Sequence, residues 1–163
     1  MLALAPAYRF GWYSIVLLAT ALMAVAVAWR AWRYRRAPGA AYLFVLEIAA
    51  AVWSVTGALE AAATDLGAKI LWSQLSYLGI GATPPSFLLF ALDYSHHGRR
   101  FQPRFVALVY LFPFLTFFVA ATNGVHRWLW PTVTLDPLRN VAYYGHGPWW
   151  WAQVVYYYAL SVW

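Results

Sequence analysis

Apolar and polar positions alternate along this chain in long blocks, with five apolar runs separated by shorter polar segments. Each of the first four runs is close to the roughly 20 residues that an α-helix needs to cross a bilayer core. The fifth would reach only about 22 Å at a rise of about 1.5 Å per residue, against a core of about 30 Å. The predicted spans are residues 11–29, 40–64, 70–92, 105–122 and 149–163. We expect an all-α integral membrane protein, one helical transmembrane domain over residues 1–163 with an incomplete fifth span, and a fragment of a longer protein.

Composition excludes a soluble or disordered chain. Hydrophobic residues make up 64% of the sequence and charged residues only 10%, whereas a soluble domain is about 45–50% apolar and about 25% charged. The 11 Trp and 12 Tyr suit the membrane–water interface. Cysteine is absent, which excludes disulfides and thiolate metal sites.

Basic residues cluster in two of the segments between the spans. The cluster after the first span and the cluster after the third are Arg30, Arg33, Arg35 and Arg36, and Arg99, Arg100 and Arg104. Loops rich in Lys and Arg stay in the cytoplasm, so we expect a multi-pass protein of the cytoplasmic (inner) membrane with its N-terminus outside. The net charge of +6 comes from these clusters, and we expect no nucleic-acid partner.

The segment 123–148 has too many turn residues and charges to lie in hydrocarbon. Residues 131–135 and 140–144 are candidate strands, and Asp136-Pro137 between them is typical of a turn. We therefore expect an extracytoplasmic loop or short β-hairpin across the outer mouth of the bundle.

Glu60 is the outstanding polar residue of the second span. An acid within a span costs roughly 2.5–3.5 kcal/mol on insertion scales and is usually turned inward and paired. Trp53, Thr56 and Glu60 share one helical stripe, and Gly57 beside them would allow close approach of the third span. We expect Glu60 to face an outward-opening pocket, hydrogen-bonded to Gln74 and Tyr77. The alternative is an interfacial carboxylate that reaches lipid headgroups.

The third span contains a double proline, Pro84-Pro85, which removes two backbone donors in mid-membrane. A kink there has two interpretations, a static bend or a functional hinge beside a ligand cavity. We adopt the hinge as the working hypothesis.

All four histidines lie outside the predicted spans, and two of them, His126 and His146, lie on the outer loop. Two loop histidines without a third ligand are weak evidence for a metal, so we expect no metal site and no cofactor. Soluble catalytic motifs are absent, and we expect no catalytic residues in this chain. The candidate pocket residues are Trp53, Glu60, Gln74, Tyr77 and His126.

Several segments together resemble the N-terminal seven-helix membrane region of prokaryotic sensor histidine kinases. The resemblance runs from about Ala40 to the end of the chain. It is carried by residues 51–54 (AVWS), 58–60 (ALE), Lys69, 75–80 (LSYLGI), 84–94 (PPSFLLFALDY), Pro113, 122–123 (TN), 126–130 (HRWLW) and 147–149 (GPW).

The resemblance implies a sensory or receptor domain of a two-component signalling protein, with seven spans followed by a cytoplasmic kinase. The present sequence ends within the fifth span and carries neither a phospho-accepting histidine box nor an ATP-binding lid. We expect its partners to be the lipid bilayer, a small-molecule signal, and a second copy or a larger membrane assembly. The main alternative is a structural or accessory subunit of a membrane complex. A transporter or membrane enzyme ranks third, because such proteins place polar groups near the bilayer midplane.

Overall fold

Helices dominate the computed structural model, which describes residues 7–95 and 101–162. The elements in chain order are α1 (Trp12–Arg33), α2 (Ala40–Ala62), α3 (Leu66–Ser95), α4 (Pro103–Ala121), α5 (Asn123–His126), β1 (Val133–Asp136), β2 (Val141–Tyr144) and α6 (Pro148–Ser161). The predicted cytoplasmic residues His96, His97, Arg99 and Arg100 lie outside the described residues.

Four of the described helices, α1 to α4, are long and apolar enough to cross a membrane. The helical membrane bundle predicted from the hydropathy pattern is therefore confirmed. The helices also run past the apolar blocks. Thus α1 continues to Arg33, because cations favour the last turn of a helix, and α3 begins at Leu66, where Asp65 Oδ1 accepts a hydrogen bond from the Ala68 amide (2.8 Å).

The central helix of the bundle is α3, which packs against α2, α4 and α6, while α1 packs against α2. Gly79 allows the closest approach of α2 and α3, since a Cβ there would lie 2.5 Å from the Ala49 carbonyl oxygen and 2.6 Å from the Trp53 nitrogen. Small residues let backbones approach in membrane bundles. Gly57, predicted to let another helix approach closely, faces Leu17 of α1 at an ordinary contact distance.

Helix α6 is attached to α4 at a proline. Pro113 cannot donate to the Val109 carbonyl four residues earlier, and the Tyr156 hydroxyl of α6 donates to that carbonyl instead (2.7 Å). One turn further along α4, Trp149 Nε1 donates to Thr116 Oγ1 (3.1 Å). These bonds satisfy backbone and side-chain groups that lipid could not.

Strands β1 and β2 form an antiparallel hairpin in which Val133 pairs with Tyr144 and Asp136 with Val141. Asp136 Oδ1 closes the turn by accepting from the amides of Leu138 and Arg139. The hairpin expected between α4 and the last helix is therefore present.

The N-terminal segment lies at the same end of the bundle as the hairpin. The Arg9 amide donates to the Ala62 carbonyl (2.7 Å), and the Thr64 amide donates to the Ala7 carbonyl (3.0 Å). We call this end, with residues 7–11, 60–73 and 122–147, the hairpin end. The opposite end, with residues 30–39, 93–95 and 101–104, is the arginine end.

Candidate functional site

A cavity of about 610 Å³ opens at the hairpin end, between the N-terminal segment, the end of α2, the start of α3 and strand β2. Its charged and polar lining comes from these four elements and also from the start of α1 and the hairpin turn: Arg9, Ser14, Glu60, Lys69, Arg139, Asn140 and Tyr144. We call it the hairpin-end cavity. Polar groups from several separate elements converge on one concave space, which is typical of a ligand site.

Glu60 reaches this cavity from the last turn of α2. Its Oε1 accepts a hydrogen bond from the Tyr144 hydroxyl (3.3 Å). Glu60 is therefore turned inward and paired, as the sequence suggests, but the donor is on the hairpin. The expectation that Gln74 and Tyr77 would bind it is wrong, because Gln74 donates to the Ala120 carbonyl at the end of α4 and the Tyr77 ring packs against Trp130.

Lys69 forms the floor of the cavity and was not among the predicted site residues. It is only 1% exposed, and its Nζ donates to the main-chain carbonyl of Glu60 (2.8 Å). A buried lysine needs partners, so Lys69 ties the start of α3 to the end of α2. A signal was available, since Lys69 is the only cation between Glu60 and the polar stripe of the third span.

Tyr144 links the hairpin to both helices. Its hydroxyl accepts from Ser73 Oγ (2.6 Å) and donates to Glu60. Burial raises the pKa of Tyr144 well above its usual value, and the nearby Glu60 carboxylate raises that pKa further against the lowering effect of the Ser73 hydrogen bond. The phenol therefore stays a neutral donor throughout the physiological pH range.

The other predicted site residues lie elsewhere. Gln74 Nε2 donates to the Ala120 carbonyl (3.0 Å) and ties α3 to the end of α4. Tyr77 is buried with its ring 5.6 Å from that of Trp130. Trp53 is 48% exposed, and its backbone nitrogen and Cβ lie beside Gly79 of α3.

His126 folds back onto its own turn. Its Nε2 lies 3.1 Å from Thr122 Oγ1, and its Nδ1 accepts from the Trp128 amide (3.0 Å). Of the five candidates, only Glu60 lines the hairpin-end cavity. Contact of any of them with a ligand stays a prediction.

A second residue that we did not single out as a site residue, Asn123, shapes the loop next to the cavity. Its side chain is buried, accepts from the amides of Leu129 and Trp130, and donates to the Trp130 carbonyl (each 3.0 Å). This places Trp130 between two rings, with its centroid 4.8 Å from Tyr144 and 5.6 Å from Tyr77. The aromatic contacts run from the cavity to the core of α3.

The double proline lies within α3, which is helical on both sides of it. The hydroxyls of Thr83 and Ser86 donate to the carbonyls of Gly79 and Ala82 (2.9 and 2.6 Å), and Ser86 also bonds to the Tyr110 hydroxyl of α4 (2.6 Å). These hydroxyls supply local hydrogen bonds in the segment where Pro84 and Pro85 supply no donors. A hinge role for the two prolines stays a prediction.

Within the described ranges 7–95 and 101–162, no group of three or more His, Cys, Asp or Glu side chains is placed to hold a metal ion.

A family model described as the N-terminal 7TM region of histidine kinase matches residues 16–163. No curated protein and no solved structure gives a significant match. The family does not favour the alternative of an accessory subunit, and the domain it describes is sensory, not catalytic. The long apolar helices and this match together show that the chain belongs to the N-terminal seven-transmembrane sensory region of histidine kinases, embedded in a membrane as a multi-pass protein.

Proposed function

We propose that this sensory region binds a small-molecule signal in the hairpin-end cavity, on the outer side of the cytoplasmic membrane, and controls a kinase that follows it in the full-length protein. One observation carries the proposal. The cavity is lined by Glu60, Lys69 and Tyr144, and these three residues also hold α2, α3 and the hairpin together. A ligand that changes their contacts changes how these elements sit against one another.

The distribution of cations supports an outward-facing hairpin end. Five described arginines lie at the arginine end: Arg30, Arg33, Arg35, Arg36 and Arg104. The hairpin end carries three exposed arginines, Arg9, Arg127 and Arg139, and its fourth cation, Lys69, is buried. Exposed cations concentrate in cytoplasmic loops, which supports an orientation with the N-terminus and the hairpin outside.

The effect of ligand binding would be transmitted from the cavity to the helices through the contacts of Tyr144. Tyr144 contacts Trp130, Trp130 contacts Tyr77 of α3, and the Trp149 amide at the start of α6 donates to the Trp128 carbonyl (3.1 Å). A ligand that binds at Tyr144 would therefore act on α3 through Tyr77, on the N-terminal side of the double proline, and on α6 through Trp149. A ligand preferring one of two arrangements of these helices would shift their populations, with Pro84 and Pro85 as the hinge.

The test uses the full-length kinase in proteoliposomes, with autophosphorylation as the readout. We expect Tyr144→Phe and Glu60→Leu each to change the basal rate several-fold, because both remove the hydrogen bond between the Tyr144 hydroxyl of the hairpin and the Glu60 carboxylate of α2. Tyr143→Phe is the matched control, since Tyr143 lies on the other face of the same strand and is exposed. Equal rates in all three variants and the wild type would overturn the proposal.

A further inference from the structure

Three cations line the hairpin-end cavity against a single carboxylate that already has a donor. We infer that the ligand is an amphiphilic anion, with one carboxylate or phosphate group joined to an apolar body. This inference rests on the proposed function, because it names the chemical class of ligand that the same cavity would take.

The two cations at the rim of the cavity have few partners among the described residues. The Arg9 guanidinium makes no hydrogen bond and no ion pair with any described residue, although its backbone amide is bonded to Ala62. The Arg139 side chain is 76% exposed and lies 4.0 Å from Asp136, at the limit of an ion pair. A guanidinium matches carboxylate and phosphate oxygens with two parallel donors.

A cationic ligand would find only one carboxylate in the lining of the cavity, that of Glu60. The Glu60 carboxylate accepts from Tyr144, and the Nζ of Lys69 stands beside it on the main-chain carbonyl of Glu60. An incoming ammonium group would meet the positive charge of the buried Lys69 next to that carboxylate. The charges therefore select against cations and favour an anion held at the rim by Arg9 and Arg139.

Apolar side chains line the space between these charges. Phe10 and Tyr13 come from the start of the chain, and Val141 and Ala142 from strand β2. Phe10, Tyr13 and Val141 are exposed, so an occupant that covers them gains from their burial. A fully hydrated anion such as sulfate would leave these walls in water, whereas an amphiphile covers them.

A second cavity at the same end provides an internal control. It has a volume of about 440 Å³ and lies beneath β1, lined by Arg127, Gln74, Asn123 and several threonines and apolar residues. Its one arginine is exposed like Arg9 and Arg139. Arg127→Gln therefore removes the same charge from the same end of the bundle without touching the hairpin-end cavity.

Two sources could supply the anion, a free amphiphile or an anionic lipid headgroup of the outer leaflet. The experiment uses full-length protein in nanodiscs made of phosphatidylcholine, with radiolabelled laurate as the free probe. A second arm measures phosphatidylglycerol retained by the protein in native mass spectra. Saturable binding of laurate assigns the free amphiphile, and selective retention of phosphatidylglycerol assigns the lipid.

In the arm that binds, we expect Arg9→Gln and Arg139→Gln each to weaken the affinity about tenfold, since each removes a charge-assisted hydrogen bond. Arg127→Gln should leave it unchanged. Thermal unfolding of each variant checks the fold, which exposed arginines should not affect. The inference is wrong if neither anion binds, if dodecyltrimethylammonium displaces the bound anion as well as unlabelled laurate does, or if Arg127→Gln weakens binding as much as the rim variants.

The outcome is separable from that of the proposed function. If Tyr144→Phe changes autophosphorylation but no anionic amphiphile binds, the cavity senses a ligand of another class. If laurate or phosphatidylglycerol binds at the two rim arginines but no cavity variant changes autophosphorylation, the ligand class stands and the sensory role fails.

Discussion

The two ends of the helical bundle handle their charges in different ways. At the hairpin end, Lys69 and Glu60 are drawn in between helices, and each bonds to a different element of the fold. At the arginine end, Arg30 and Arg35 stay on the surface, over the rings of Tyr34 and Trp32 of their own segment (5.4 and 4.9 Å to the ring centroids).

The comparison distinguishes charged residues that join helices around a cavity from charged residues that set the orientation of the chain in the membrane. The only ion pair among the described residues joins Arg139 to Asp136 on the hairpin, so the described arginines of the arginine end pair with no described carboxylate. Cations in such positions fix the topology of a membrane protein. Charged residues that join helices, in contrast, make the packing of those helices sensitive to a bound ligand.

The largest stability effect should come from Lys69 at the hairpin end. Lys69→Met removes the donor to the Glu60 carbonyl and leaves that buried acceptor unpaired, at roughly 1–3 kcal/mol. Arg35→Met is the control at the arginine end, where an exposed substitution should change stability by less than about 0.5 kcal/mol. Thermal unfolding in detergent compares the two, and equal effects would remove the distinction between the ends.

Gly39 tests a tight connection at the arginine end. Its φ is 77°, and its amide donates to Asp93 Oδ2 (2.6 Å). Gly39→Ala should destabilise the protein by about 1–2 kcal/mol, because an L-residue is strained in the left-handed region and its Cβ would lie 2.9 Å from the Phe90 ring.

The matched control for that substitution is Gly124→Ala, since Gly124 has free space around it and no positive φ. A loss of stability at Gly124 equal to that at Gly39 would contradict this account of the turn. The same unfolding assay serves both variants.

The sequence was sufficient for the local features of the fold. Hydropathy located the four long helices, and turn residues around Asp136-Pro137 located the hairpin, because both signals depend on neighbouring residues. The resemblance in segments 51–60 and 75–94 identified the family. Helix ends were less accurate, since Asp65 starts α3 from a position that looked like a polar turn.

The site was only partly predictable because its contacts join distant residues. Glu60 was found from the cost of an acid in a span, but its donor, Tyr144, is 84 residues further along the chain. The spacing of residues along the chain does not predict that a residue of a hairpin strand contacts the end of a distant helix. Gln74 was expected near Glu60 from its depth alone, whereas the direction of its side chain toward α4 depends on packing.

Tyr156 tests the connection between the two ends through α4 and α6. Tyr156→Phe removes the hydrogen bond to the carbonyl freed by Pro113, so we expect a loss of about 0.5–1.5 kcal/mol. Tyr158→Phe should have no effect, because Tyr158 is exposed on the same helix. An unaltered unfolding temperature for Tyr156→Phe would show that α6 is held by other contacts.

Pro85 should give the smallest change in stability and a clear change in signalling. Pro85→Ala restores a backbone donor within α3, and the free energy of unfolding should change by less than about 1 kcal/mol. If the double proline is the hinge between the ends, autophosphorylation of the full-length kinase should respond less to changes in the cavity. An unchanged response in this variant would reduce the prolines to a packing feature.

The central claim is that the hairpin-end cavity faces outside and controls the kinase, and chemical modification of the cavity from outside tests it most directly. The chain has no native cysteine. Three single cysteines are placed in the full-length protein: Ala142→Cys on the cavity wall, Leu138→Cys at the hairpin tip, which is 97% exposed and away from the cavity, and Ala37→Cys at the arginine end. Intact cells are treated with a bulky, membrane-impermeant thiol reagent, and kinase phosphorylation is then measured. The account predicts that the reagent labels the cysteines at 142 and 138 but not the one at 37, and that only modification at 142 changes phosphorylation. Labelling at 37 from outside, or labelling at 142 without any change in phosphorylation, would contradict it.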